Sequence, residues 1–366
     1  MICGEMQRLL IKKTQARGSV KQAAARLALR GYLSLNWFKR FIDYWGIPPA
    51  DIWKYFDIIT GTSIGGIISL SLAYGLTPDE LLPFFTLDGP WIFTVRSAID
   101  VAAGSINASF PSNRPYTSQK VVILGQNDQF YRSVDPASNY GSARLKTKLV
   151  QTFGNATLQD LKANILITGY KSSTNTPVLF SNLNYGEFSG QDELITNVAL
   201  ATSAAPVYLP PHPFGGSIYI DGGVFQNNPA QLAFNTAKSL KPLANRYNVL
   251  SIGTGVGQVG FHEEENPDQP SPPTFPFEQT VKDLVSIIDA ATTGAQESVA
   301  RGLLLESKYT LNRLYYYRFQ PVLDPNVNTD LDNSDADFLT YMEDVVTQEF
   351  NNDIDNIATF LGHLTA

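Results

Sequence analysis

The sequence has little of what most often carries chemistry. Its 366 residues include one cysteine, Cys3, and three histidines, His212, His262 and His363. A single cysteine excludes an intramolecular disulfide, a multi-cysteine zinc site and an iron–sulfur thiolate site. Charged residues make up only 17% of the chain, against 43% hydrophobic. That balance excludes intrinsic disorder, collagen and coiled coil, and it supplies enough apolar material for a large core. Basic residues are outnumbered 27 to 34, for a net charge of −7. Nucleic acid is therefore not an expected partner, because its binding rests on neutralising phosphates. Residues 58–78 carry no charge and are long enough to raise a membrane span. Their many Gly, Ser and Thr residues fit a buried strand, a sharp turn and a buried helix better.

Positive charge is concentrated at the start. Residues 1–30 hold Arg8, Lys12, Lys13, Arg17, Lys21, Arg26 and Arg30 against one acid, Glu5. They lack an apolar core of signal-peptide length and read as a solvated basic arm. A mitochondrial transit peptide or a membrane-surface helix would share that composition. With no secretory signal or transmembrane helix recognised, the expected location is cytoplasmic or peripheral to a membrane.

Further on, apolar strands alternate with helices. Trp37 to Trp45 reads as a helix before Pro48-Pro49, Phe56 to Thr60 as a strand, and Ile64 to Tyr74 as a helix. Thr77-Pro78-Asp79-Glu80 has the pattern of a helix cap and first turn. Strands are expected at Asn164 to Tyr170, Val178 to Ser181, Ile218 to Ile220, Val249 to Ile252 and Tyr315 to Gln320. Helices are expected at Leu194 to Ala204, at Pro229 to Leu240 and from about Glu278. Residues 86–140 are irregular, with Trp91 and Phe93 read as core aromatics rather than interface anchors. Residues 262–277, with five prolines and three consecutive glutamates, read as a loop. This alternation predicts an α/β fold, a mostly parallel sheet covered on both faces.

The chemistry centres on Gly61-Thr62-Ser63-Ile64-Gly65, a G-x-S-x-G between a predicted strand and a predicted helix. That is the context of a nucleophile elbow, where a tight turn projects the serine hydroxyl and the helix N-terminus faces developing negative charge. Small residues at Gly61 and Gly65 are expected to let strand and helix approach closely. A serine needs a base, and the histidines are poorly placed for that task. His212 lies in a Pro-Pro-His-Pro run, His262 in the proline-rich acidic loop, and His363 almost at the end of the chain. Asp221 is the natural alternative, because it follows an apolar strand and precedes Gly222 and Gly223. It is thus expected at the carboxyl edge of the sheet, where open α/β folds place their sites. Taken alone, Asp-Gly-Gly would be an ordinary turn. Gly255-Val256-Gly257-Gln258-Val259-Gly260 matches G-x-G-x-x-G, but an acidic, proline-rich segment follows where a dinucleotide site needs a helix.

Three blocks in order resemble the patatin-like phospholipase family. They are Phe56 to Gly66 around Ser63; Ala201-Thr202-Ser203-Ala204-Ala205-Pro206, leading to Pro210-Pro211-His212; and Asp221-Gly222-Gly223-Val224-Phe225-Gln226-Asn227-Asn228-Pro229. Ser251-Ile252-Gly253-Thr254-Gly255 follows, as it does in that family. The resemblance covers about residues 30–320. It implies a three-layer α/β/α sandwich, with a hydrolase domain over 30–330, an unrelated basic segment over 1–29 and a helical tail over 331–366. It also implies hydrolysis of lipid acyl esters, of phospholipase A type, by a Ser–Asp dyad with Ser63 as nucleophile and Asp221 as base. No cofactor or metal is expected. The expected partner is a phospholipid or other acyl lipid, met through peripheral membrane contact.

One block departs from the family. Its members open with Asp-Gly-Gly-Gly-x-Arg-Gly, whose backbone N–H groups form the oxyanion hole. Here Arg30 and Gly31 match the end of that motif as a remnant, and Ala25-Arg26-Leu27-Ala28 stand where the aspartate and glycines would be. The alternative expectation is therefore an impaired or non-catalytic lipid-binding or storage protein on the same fold.

Overall fold

In the computed structural model the described residues are 26–92, 142–184, 188, 190, 192–206, 209–257, 276–309, 313–324, 327 and 336–365. The first helix, α1 (Arg26–Trp45), runs through Leu33, Leu35, Trp37, Phe41 and Ile42, all inaccessible to solvent. It stops at Gly46, whose positive φ of 77° lets its N–H return to the Ile42 carbonyl. Strand β1 (Ile59–Gly61) then leads through Thr62 and Ser63 into α2 (Ile64–Tyr74). Helix α3 (Pro78–Thr86) begins with the capping box expected from the sequence, with Thr77 and Glu80 satisfying each other's backbone N–H groups. A short helix α4 (Gly89–Ile92) and a helix α5 over 142–153 come next. The side chain of Trp91 and the whole of Phe93 lie outside the described residues.

Two hairpins and their helices form the middle of the chain. They are β2 (Ile165–Lys171), β3 (Thr176–Phe180), α6 (Ile195–Thr202), β4 (His212–Phe214), β5 (Ser217–Asp221), α7 (Gly223–Gln226) and α8 (Ala230–Leu240). The last part holds β6 (Tyr247–Ile252), the long α9 (Pro276–Tyr309), β7 (Leu314–Phe319), α10 (Ala336–Asn352) and α11 (Ile354–Thr365). Helix α2 packs on β1 and β2, α6 on β2 and β5, α8 on β1 and β6, and α9 and α11 on β7. The architecture is an α/β sandwich.

Its sheet is mixed, where the alternation predicted mostly parallel pairing. β1 pairs with β2 and β6 with β7 in parallel, whereas β2–β3, β2–β5 and β4–β5 are antiparallel. For β2–β3 and β4–β5 the reason lies in the connections, because a parallel pair needs a crossover and an antiparallel pair only a turn. β2 and β3 are joined by residues 172–175, and β4 and β5 by Gly215-Gly216 at φ 55° and 72°. Two consecutive residues at positive φ are what the commonest two-residue hairpin requires.

β2 is buried on both faces and is the hub. Gly61 of β1 and Phe180 of β3 both pair with Ile167, and Asp221 of β5 and Val178 of β3 both pair with Gly169. β3 therefore takes one edge of β2, and β1 and β5 share the other, running toward each other and ending two residues apart on it.

Helices α10 and α11, over 336–365, are packed on the core. Phe338, Met342, Val346, Ile357 and Phe360 are buried in the same cluster as α1 and β7. Tyr32 donates a hydrogen bond to Glu343, and Tyr317 donates one to Asp353 at 2.6 Å.

Candidate active site

The meeting of β1 and β5 on one edge of β2 brings Ser63 and Asp221 together. Ser63 sits at the cap of α2 with φ 56° and ψ −127°, a conformation that L residues rarely hold. Gly61, two residues earlier, makes the turn sterically feasible. A Cβ at Gly61 would lie 2.1 Å from the Gly65 carbonyl oxygen, so strand and helix touch backbone to backbone there. The expectation for Gly65 differs in detail: a Cβ there would meet nothing within 4 Å. Gly65 contributes its backbone to the close approach and leaves open space on its side-chain position.

Ser63 does not cap its own helix. Its side chain is instead close enough to the Asp221 carboxylate to lower that group's pKa. Asp221 is buried, and burial raises its pKa to about 7, partly offset by the Ser63 side chain and by the bond from the Gly223 N–H. The latter donates to Oδ1 at 2.7 Å. Gly222 must be small, since a Cβ there would lie 2.2 Å from Thr168 Oγ1.

Hydroxyl groups tie the surrounding elements together. Thr168 of β2 donates to Thr62 Oγ1 at 2.8 Å, and Thr62 donates to the Gln226 carbonyl at 2.8 Å. Thr202, at the end of α6, accepts the Ser63 N–H at 2.9 Å. The sequence reading assigned no role to Thr168, Thr202 or Gln226. Thr202 and Gln226 fall within the quoted blocks, which was the one available signal. At the start of α2 the Gly66 and Ile67 N–H groups both return to the Ser63 carbonyl. The first two amides, of Ile64 and Gly65, have no acceptor among the described residues, as helix geometry dictates.

The remaining sequence candidates lie elsewhere. Arg30 and Gly31, expected as the remnant of an oxyanion loop, are inside α1. A residue within a helix commits its N–H to the carbonyl four residues earlier. The absent side chain of Gly31 serves packing, since a Cβ there would lie 2.6 Å from Ile64 Cγ1 and 2.8 Å from Phe85. His212 is half-buried, with Nε2 3.1 Å from Asn197 Oδ1, and burial lowers its pKa to about 4. His363 stacks on Tyr315 at 3.5 Å, and His262 lies outside the described residues, as do Gln258, Val259 and Gly260. Among the described residues no group of three His, Cys, Asp or Glu side chains is placed to hold a metal ion. No helix among them is long and apolar enough to cross a membrane.

Comparison with known proteins fits this geometry. The family profile described as Patatin-like phospholipase matches residues 28–234. That is more than half of the chain, which belongs to this family. Among its relatives, a cGAMP-activated phospholipase of Vibrio cholerae is 34% identical over 190 residues, 50% of this chain and 47% of that protein. A second protein of that description, from Escherichia coli, is 29% identical over 221 residues, 58% of this chain and 54% of that protein. The mouse calcium-independent phospholipase A2-gamma is 24% identical over 329 residues, 86% of this chain and 37% of that protein. The chain thus spans about half the length of the two bacterial relatives.

Proposed function

We propose that the chain hydrolyses acyl esters of phospholipids, with phospholipase A regiochemistry, through Ser63 as nucleophile and Asp221 as base. One observation carries the reading. A serine held at a strained strand-to-helix turn is placed beside a buried carboxylate whose pKa lies near 7. Such a carboxylate both accepts and returns a proton near neutral pH. Asp221 takes the Ser63 proton as Oγ attacks the ester carbonyl. The Ile64 and Gly65 amides and the dipole of α2 face the negative oxygen that forms. Collapse releases the alcohol, which leaves with the proton held on Asp221, and an acyl group remains on Ser63. Asp221 then deprotonates a water, the hydroxide attacks the acyl-serine, and the fatty acid departs as the proton returns to Ser63. The substrate lies in a lipid surface and is met by peripheral contact.

The test is fatty-acid release from mixed phospholipid vesicles by the parent, Ser63→Ala and Asp221→Asn. Release by the parent that is lost in both variants is the expected result. Release that persists in Ser63→Ala would sink the proposal.

The helical state of Arg30 and Gly31 favours a second reading, a lipid-binding protein on the same fold. It predicts a folded parent that releases no fatty acid and leaves Ser63 unlabelled by a fluorophosphonate, whereas the enzyme takes the label.

A further inference from the structure

Resting on that reading, we propose that Thr202 is a positioning residue that fixes Ser63 through its backbone and leaves the oxyanion role to Ile64 and Gly65. Thr202 closes α6 and is inaccessible to solvent. Its Oγ1 accepts the Ser63 N–H at 2.9 Å. Its methyl lies against α2, where a Cβ at Gly66 would stand 2.8 Å from Thr202 Cγ2 and 3.0 Å from Oγ1. Packing on Gly66 and the bond to Ser63 hold one side chain from two directions. The next residue cannot replace it, because Ser203 donates its hydroxyl to the Ala199 carbonyl at 2.7 Å.

Two consequences follow from this contact. Ser63 is the N-cap of α2, so its N–H lies outside the bonding pattern of the helix, and a buried donor left unpaired is costly. The Thr202 oxygen supplies the acceptor that the strained turn needs. The second consequence concerns the oxyanion. In some serine hydrolases the nucleophile's own N–H serves as a donor. Here that N–H is already engaged, and the amides that remain open at this end of α2 are those of Ile64 and Gly65.

Thr202→Val keeps the shape and removes the acceptor, while Thr202→Ser keeps the acceptor and removes the methyl. With phospholipid vesicles, kcat of Thr202→Val is expected to fall roughly 10–100-fold, the scale of a small misplacement of a reacting group. KM stays within about twofold, and the acid limb of the pH profile stays near 7, because Asp221 is untouched. Fluorophosphonate labelling of Ser63 slows in parallel. Thr202→Ser recovers to within a few-fold of the parent, by the rough scale of such conservative changes. Melting curves establish that each variant is folded at the assay temperature, and Thr202→Ala serves if the valine is not accommodated. An active parent with an equally active Thr202→Val overturns the inference alone. So does a loss that Thr202→Ser fails to rescue, which makes the contact one of packing. A parent that neither releases fatty acid nor takes the label overturns the hydrolase reading, and the inference with it.

Discussion

Trp37 and Ser63 are both buried, in surroundings that differ in kind. Around Trp37 the rings of Phe41, Tyr317 and Phe319 stack at centroid separations of 5.3, 5.7 and 4.9 Å. The indole N–H finds no acceptor among the described residues. Contact area outweighs that loss, because an aromatic side chain buries a large apolar surface. Around Ser63 the contacts are hydroxyl to backbone, hydroxyl to hydroxyl and backbone N–H to carboxylate, within a turn that is itself strained. The first region lowers the free energy of the fold. The second raises it locally and relies on its neighbours to hold a geometry that packing alone would not select.

Substitutions that separate stability from activity break or sharpen this contrast. The largest effect is expected for Trp37→Ala, a loss of roughly 3–5 kcal/mol from the cavity and the lost area. Denaturant unfolding measures it, and labelling of Ser63 per folded molecule stays close to that of the parent. Asp221→Asn acts in the other direction. The folded pKa of Asp221 is about 7, raised by burial from 3.8. Its stabilising contribution is therefore full below about pH 4 and is lost as pH rises through about 7. Asn lacks that decline, so the variant gains on the parent by up to about 4 kcal/mol between those pH values. Melting at pH 4 and pH 8 reads the difference, and an equal offset at both ends would refute it. On the proposed mechanism catalysis has the opposite sign: the base must be ionised, and activity of the parent is expected to fall below about pH 7. Tyr317→Phe removes the bond to Asp353 and is expected to cost about 1–2 kcal/mol with unchanged kcat. The smallest effect is a gain. Ser63→Gly relieves the positive φ and is expected to raise stability by about 1 kcal/mol while abolishing labelling.

Sequence and structure agree best where the signal is local. The elbow fits within five residues between an apolar strand and an apolar helix, and Thr77 to Glu80 announces its own cap. The place of Asp221 at the end of a strand is legible from the apolar run before it and the two glycines after it. Hairpin pairing was harder to read. Thr176-Pro177 opens β3 and Pro213 lies within β4, so proline weakened both strand signals. The polar bracing of the site was not legible, because Thr168 and Thr202 are each more than a hundred residues from the groups they hold. An isolated threonine in an apolar run carries no mark of such a partner. Arg30 and Gly31 show the converse, a local match to a loop motif overridden by an apolar helical face that begins with Gly31 and continues through Trp37.

The head-to-head arrangement of β1 and β5 also bears on how the chain is made. Translation at roughly 5–20 residues per second places Ser63 in the growing polypeptide on the order of ten seconds before Asp221 exists. During that interval the serine is an ordinary alcohol. On the proposed mechanism it acquires a base only when β5 adds to the edge of β2 beyond β1. Under the proposed chemistry, a nascent or truncated chain ending before β5 would be inert toward the membranes around it, and hydrolytic activity would report that the sheet is complete.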